Sequence, residues 1–209
     1  MKKIPMLFNM IFEDGKRGAV GVDFTTFNPA AFEVLNNAEE VVATQKFDGS
    51  AMMLDANGEW WARRIVRPNK KAPARFIECT FDPNTGKRVG WIPASDPTFG
   101  WARQFADALA AAEAEDVTFA PGTFELAGES IQGNPEGITG HKLLPHGSVV
   151  VKGFPNVKEL LGDAQHAHDV LKPHFAEFER NSIEGVVLWA DGVPAVKLRV
   201  ADFNKDERG

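Results

Sequence analysis

The chain has 209 residues, 44% of them hydrophobic, which favours one folded domain with a sizeable core over a disordered chain. No stretch approaches the roughly 18 apolar residues of a membrane span, and the single cysteine, Cys79, excludes an internal disulfide framework and a multi-cysteine zinc site. The net charge of −6 weighs mildly against nonspecific nucleic-acid binding, although a local basic patch can outweigh an average.

The N-terminus opens like a signal peptide, but its apolar run stops at Asn9 and acids follow at Glu13 and Asp14. It therefore reads as a mature cytoplasmic start. Residues 41–45 read as a short strand running into Lys46-Phe47-Asp48-Gly49. Residues 50–55 and 59–65 flank Asn57-Gly58, a hairpin signal. The basic, proline-containing stretch 67–98 reads as irregular. Residues 99–115 have helical composition, with Phe99, Ala102, Phe105, Ala106 and Leu109 spaced along one face. A strand is expected over 118–126, a Gly/Pro/Asn-rich loop over 127–147 and a strand over 148–154. Helices follow over 157–161 and 166–180, with Pro173 an expected interruption. Residues 183–190 and 193–200 flank Asp191-Gly192, a second hairpin. The sum is an α+β domain dominated by antiparallel strands, spanning 1–209 as one unit.

Two features carry chemistry. Between Arg63 and Arg75 stand six basic residues (Arg63, Arg64, Arg67, Lys70, Lys71, Arg75) and no acid. They read either as a solvated loop or as a patch for a nucleic-acid backbone. The second feature is an ordered set. Lys46-Phe47-Asp48-Gly49 alone could be a turn after a surface lysine. It is followed by Phe124-Glu125-Leu126-Ala127-Gly128, by Glu184-Gly185-Val186-Val187 and by Lys197-Leu198-Arg199.

In this order the four pieces resemble the motifs of the covalent nucleotidyltransferase superfamily, which holds polynucleotide ligases and mRNA capping enzymes. Trp61-Ala62-Arg63, Pro68-Asn69-Lys70, Trp91-Ile92-Pro93, Gly133-Asn134-Pro135 with Gly137, and Leu144-Pro145-His146-Gly147 bring the chain nearer to one family. They look like segments of the vertebrate-type single-domain ATP-dependent 5′–3′ RNA ligases, from about Pro5 to Arg199.

That resemblance implies an ATP-grasp-like adenylation core: two antiparallel sheets, helices outside, a nucleotide cleft between, and no OB domain. It implies a lysyl-AMP intermediate on Lys46, with ATP and Mg²⁺ or Mn²⁺ as cofactors. The partner would be RNA with 5′-phosphate and 3′-hydroxyl ends, as in RNA repair; no membrane and no obligate protein partner are inferred. By the same resemblance, Glu125 accepts a hydrogen bond from the ribose, and Glu184 holds the metal. Lys197 contacts the α-phosphate and acts with Lys46 in catalysis. Arg63 meets phosphate or ribose, and Asp48 orients the lysine loop or meets the metal shell. Arg199 stands where ligases commonly carry a second lysine; it keeps the charge with a wider fork. Arg67, Lys70 and Lys71 are the expected RNA contacts.

The residue types fit that chemistry. A lysine amine must shed its proton before it attacks phosphorus, and nearby cations such as Lys197, Arg199 and Arg63 favour the neutral form. A two-residue turn at Asp191-Gly192 would set Glu184 opposite Arg199 and Val186 opposite Lys197, gathering one acid and two bases on one sheet face. A one-residue slip would turn the bases away. The bland alternative is a cross-strand ion pair on a solvated sheet. Phe47, Trp60 and Trp61 are candidates to stack on a base, or core residues. His166, His168 and His174 make a poor zinc site, since histidines two apart on a helix diverge. Two rivals remain: a GTP-dependent capping guanylyltransferase, which usually carries a C-terminal OB domain, and a non-catalytic nucleic-acid-binding module on a transferase core.

Overall fold

The structure is a computed structural model that describes residues 4–16, 18–83 and 85–204. In chain order it begins with β1 (Phe8–Phe12), β2 (Ala19–Phe27), α1 (Pro29–Asn37) and β3 (Val41–Lys46). Next come β4 (Ser50–Leu54), β5 (Trp60–Val66), β6 (Ile77–Asp82), β7 (Lys87–Pro93), α2 (Ala102–Ala114), β8 (Gly122–Gly128) and β9 (His141–Pro145). The last stretch holds α3 (Val157–Leu160), α4 (Ala164–Arg180), β10 (Gly185–Ala190), β11 (Val193–Arg199) and α5 (Val200–Phe203). This is an α+β protein whose strands pair antiparallel. Where two sheets are expected, the described residues form three. None of the helices is long and apolar enough to cross a membrane.

The chain divides into two compact units. The first is made of residues 4–46 and the chain from Gly147 onward. It holds the pair β1-β2 and the sheet β11-β10-β3. Residues 149–151 lie along β3, through Gln45 N–H to Val149 O (2.8 Å) and Val151 N–H to Ala43 O (2.9 Å). Beyond one bridge, Thr44 with Val150, they do not form the strand expected over 148–154. The turn at Lys152-Gly153, with Gly153 at φ 74°, ends the pairing.

Helix α4 packs its apolar stripe on β2. Ala164, Ala167, His168, Leu171, Phe175 and Phe178 are buried at helical spacing. Asp163 caps the helix by accepting from His166 N–H, 3.1 Å. Pro173 does not interrupt it. The proline is exposed and the opposite face is core, so packing outweighs a propensity cost of about 3 kcal/mol. Phe175 stacks on Phe203 at 4.0 Å and meets Phe178 edge-on at 5.3 Å. Helix α1 has its own signal, Asn28-Pro29: the Asn28 side chain accepts from Ala30 and Ala31 N–H, and proline opens the first turn.

The second unit, residues 47–146, is built on one six-stranded sheet in the order β6-β7-β5-β4-β8-β9. One face buries Met52, Ala62, Ile92, Phe124 and Leu126 in a core completed by Phe105 and Ala108 of α2. Ala102 and Ala106, expected on the inner face of that helix, point outward. The stretch expected to be irregular contains the β6-β7 hairpin. Its prolines 68, 73 and 83 lie outside the strands, and Pro93 ends β7. Gly90 permits the pairing, since a Cβ there would lie 2.1 Å from the Ile77 carbonyl oxygen. Strand β9 likewise emerges within the expected 127–147 loop.

The first unit's core predicts a large cost for a cavity at Phe175, which is 1% exposed. Phe175→Ala should lower unfolding stability by about 3–5 kcal/mol, read from urea denaturation midpoints. A loss under about 1 kcal/mol would show that the α4 stripe is not the core.

Candidate functional site

In the first unit the three-stranded sheet places the candidate groups by register. Lys46 pairs with Gly185 and Gly185 with Arg199; Thr44 pairs with Val187 and Val187 with Lys197. Directly paired residues share a face, so Lys46, Lys197 and Arg199 project together. The expected pairing is corrected by one residue. Ala190 faces Val193 across the Asp191-Gly192 turn, as expected, but the register shifts between Leu188 and Trp189. Ala195 is the extra residue, beside Pro194 on the edge strand, where a missing N–H is tolerated. Val186 therefore faces Leu198, and both are buried in the core.

Glu184 still reaches the bases' face, by a route that strand periodicity does not foresee. Strict alternation would turn it away from the row of Gly185 and Lys46. Gly185, however, takes a φ of 155°, and a Cβ there would lie 2.1 Å from the Leu198 carbonyl oxygen. Only glycine fits. Beside it, the Glu184 Oε2 accepts a hydrogen bond from the Lys46 ammonium in an ion pair whose side chains are 24% and 21% exposed. Trp189 braces the same face, its Nε1–H donating to Thr44 Oγ1 at 2.9 Å.

Lys197 is half-buried, with its backbone N–H donating to Pro5 O at 3.0 Å. Arg199 has a partner inside the protein. Its Nε and Nη2 donate to the two oxygens of Asp202 at 2.7 and 2.9 Å, and Asp202 is 1% exposed. Those bonds hold the Arg199 guanidinium above its ordinary value; burial opposes them, and the charges of Asp202 and Glu184 add to them. This fork grips a buried carboxylate bidentately.

The second unit holds Asp48, Gly49, Arg63, Glu125 and His146. Gly49 sits against β8, where a Cβ would be 2.3 Å from the Leu126 carbonyl oxygen and 2.9 Å from Glu125 Cγ. The glycine of the Lys-x-Asp-Gly tetrapeptide is thus a close-approach residue, not a simple turn residue. Glu136 fixes the residue before it by accepting Asp48 N–H at Oε1, 2.8 Å. The loop that carries Glu136 is cinched by Asn134, which accepts from Ile138 N–H at 2.9 Å and donates to Ile138 O at 3.0 Å. Sequence reasoning missed Glu136; its proximity to Asp48 bridges 88 residues and has no local signal.

Glu125 is half-buried on β8, paired with Ala51 and Leu144. Its Oε2 lies 2.8 Å from His146 Nε2, and His146 Nδ1 lies 2.9 Å from Thr123 Oγ1. Arg63, on β5 beside Trp91, is half-buried. Burial pushes its guanidinium below the ordinary value, while the nearby Cys79 and Glu125 act the other way. Trp60 belongs to the core, packed on Phe105, Phe119 and Phe124, and Trp61 is 6% exposed with its indole N–H on Asp55 at 3.0 Å. Neither offers a free ring face for stacking. Phe47 is half-buried.

The basic stretch is not one surface. Arg64 donates to Thr98 O at 3.1 Å, and Arg75 pairs with Glu59 at 2.7 Å while lying over the Trp61 ring. Arg67, Lys70 and Lys71 are exposed in the loop after β5, as is Arg75 at its end.

Among the described residues no group of three or more His, Cys, Asp or Glu side chains is placed to hold an ion. That set cannot build an all-protein cage. A single carboxylate such as Glu184 fits Mg²⁺, which uses one or two carboxylates and completes its shell from phosphates and water. His168, for its part, is stacked between Phe24 and Phe203 in the core.

No protein-family model matches the chain, and no curated protein matches it.

The Arg199–Asp202 pair yields a test of what Arg199 does. Arg199→Ala should cost about 3 kcal/mol or more of stability, because it removes both bonds that the guanidinium makes to a buried carboxylate. A thermal melt that is unchanged in the variant would return Arg199 to the pool of ligand contacts.

Proposed function

We propose that the protein is an ATP-dependent RNA ligase that adenylylates its own Lys46 and builds its site on a nucleotidyltransferase core. The observation that carries this reading is the pairing of Lys46 with Glu184 on a sheet face shared with Lys197. The ordered motifs around those residues support it.

The chemistry runs in three balanced steps. The Lys46 amine attacks the α-phosphorus of ATP; a P–N bond forms, the bond to the β-phosphate oxygen breaks, and pyrophosphate leaves. An oxygen of an RNA 5′-phosphate then attacks the same phosphorus, breaking the P–N bond and regenerating Lys46. Finally the 3′-hydroxyl of a second end attacks the 5′-phosphate, forming the phosphodiester and releasing AMP. RNA is the expected acceptor where the site reads 2′-hydroxyls.

The motif resemblance suggests the residue roles, and the geometry within each unit is compatible with them. Glu184 holds the Lys46 ammonium, which has no lone pair to attack with until the pair opens. A divalent cation bound through the nucleotide phosphates would take Glu184 as a ligand and offset phosphate charge. Lys197 stabilises the negative charge that develops on the transferring phosphoryl group. Glu125 accepts from the ribose, Arg63 contacts phosphate or ribose, and Asp48, held through Glu136, orients the lysine loop. Arg67, Lys70 and Lys71 follow the RNA backbone.

With labelled nucleotide and Mg²⁺, a covalent adduct should form from ATP in strong preference to GTP, and Lys46→Ala should abolish it without lowering the melting temperature. Given 5′-phosphorylated RNA with a free 3′-hydroxyl, the protein should then yield joined or circular strands and AMP. An adduct from GTP that moves onto a 5′-diphosphate RNA end would make this a capping enzyme. No adduct with either nucleotide, together with RNA binding, would make it a binding module.

Replacing Arg67, Lys70 and Lys71 with alanine should weaken RNA binding and flatten its salt dependence. The logarithmic slope should fall by roughly 0.7 for each single-strand phosphate that is no longer neutralised. Self-adenylylation should survive. Equal loss of adenylylation and sealing would place the loop at the nucleotide instead.

A further inference from the structure

Residues Thr123 and Glu125 lie two apart on β8 and so face the same way. His146 follows β9, and its backbone N–H donates to Thr123 O at 3.0 Å. Its ring therefore turns back over β8 and spans the two side chains, with Nδ1 2.9 Å from the Thr123 hydroxyl and Nε2 2.8 Å from Glu125 Oε2. A carboxylate only accepts hydrogen bonds, so Nε2 must carry a proton; in the neutral ring Nδ1 then accepts from Thr123. The carboxylate thus selects the ring tautomer, and the Thr123 hydroxyl, donating to Nδ1, holds the ring in place over β8.

The rest of the surroundings leave Glu125 little freedom. Gly49 lies so near its stem that a Cβ there would be 2.9 Å from Glu125 Cγ, and its cross-strand neighbours Ala51 and Leu144 carry no polar side-chain group. Among the described residues His146 is the side chain that hydrogen-bonds it, and the bond engages Oε2 alone. Oε1 is left as the acceptor that a ligand hydroxyl can use.

We propose that His146, set by Thr123, is a positioning residue that holds Glu125 with Oε1 presented to a ribose hydroxyl, and thereby sets the preference for ribonucleotides over deoxynucleotides. It rests on the reading of Glu125 as the ribose acceptor. His146 itself touches no reacting atom. Its effect is on nucleotide affinity and sugar discrimination, not on the rate of phosphoryl transfer once the nucleotide is bound.

The test is equilibrium binding of ATP, 2′-deoxyATP and 3′-deoxyATP to the full chain, alongside Lys46 adduct formation from saturating ATP. The unsubstituted protein should favour ATP over one deoxy analogue by about tenfold or more, as expected for one hydrogen bond to a charged acceptor. His146→Phe should weaken ATP binding by a similar factor and bring that preference close to unity. His146→Gln keeps an N–H for Glu125 and should restore most of both. Thr123→Val should shift both in the same direction by less, and serves as the readout if His146→Phe does not fold. A folded His146→Phe that keeps full discrimination overturns the proposal and leaves the transferase reading standing. So does a loss in His146→Phe that His146→Gln does not repair. Sugar discrimination that depends on His146 without any Lys46 adduct supports the positioning role and sinks the transferase reading.

Discussion

The three-stranded sheet depends on the absence of a side chain at Gly185. Any Cβ there would drive into the Leu198 carbonyl, so β10 and β11 could not pair through that point. The same residue's backbone conformation releases Glu184 from strand alternation and lets its carboxylate meet Lys46. One constraint therefore serves the sheet and the candidate chemistry together. Gly49 plays a parallel part in the other unit, where β8 leaves no room for a side chain beside Glu125. In both units a glycine next to an acidic site residue is there because backbone approaches backbone, and the acid's position follows from that approach.

Charge sign separates what the sequence suggested from what the folded chain provides. Cations around Lys46 were the expected means of freeing its amine. The structure gives Lys46 an anionic partner as well, and it ties Arg199 to Asp202. Arginine at position 199 makes sense in those terms. Its fork satisfies both oxygens of a buried carboxylate, which the point charge of a lysine cannot do.

Local patterns made much of the fold legible. Asn57-Gly58 and Asp191-Gly192 marked their hairpins, and the helix expected over 166–180 is found as α4, Ala164–Arg180. What escaped was set by contacts distant in sequence. The bulge at Ala195 moved Lys197 from Val186 to Val187, a change no composition rule foretells. The β6-β7 hairpin hid behind prolines that stand at strand ends, and β9 behind a glycine-rich approach. The Arg63–Arg75 run looked like one basic strip because a sequence shows charges without their partners. Folding assigned Arg64 to a carbonyl and Arg75 to Glu59, and left Arg67, Lys70 and Lys71 exposed.

If Lys46 is the nucleophile we propose, its pairing with Glu184 bears on how such a catalyst avoids idling. A lysine held as an ammonium by a carboxylate is a poor nucleophile, because it has no lone pair to donate. The pair must open before phosphorus can be attacked. What opens it has to compete for the carboxylate, and a strongly charged divalent cation arriving with phosphates can do so where a neutral ligand cannot. On the proposed function, nucleotide arrival and nucleophile release would be one event, because the carboxylate that restrains the amine would be the group the incoming cation needs. The Gly185 backbone makes this coupling possible by putting Glu184 on the lysine's side of the sheet.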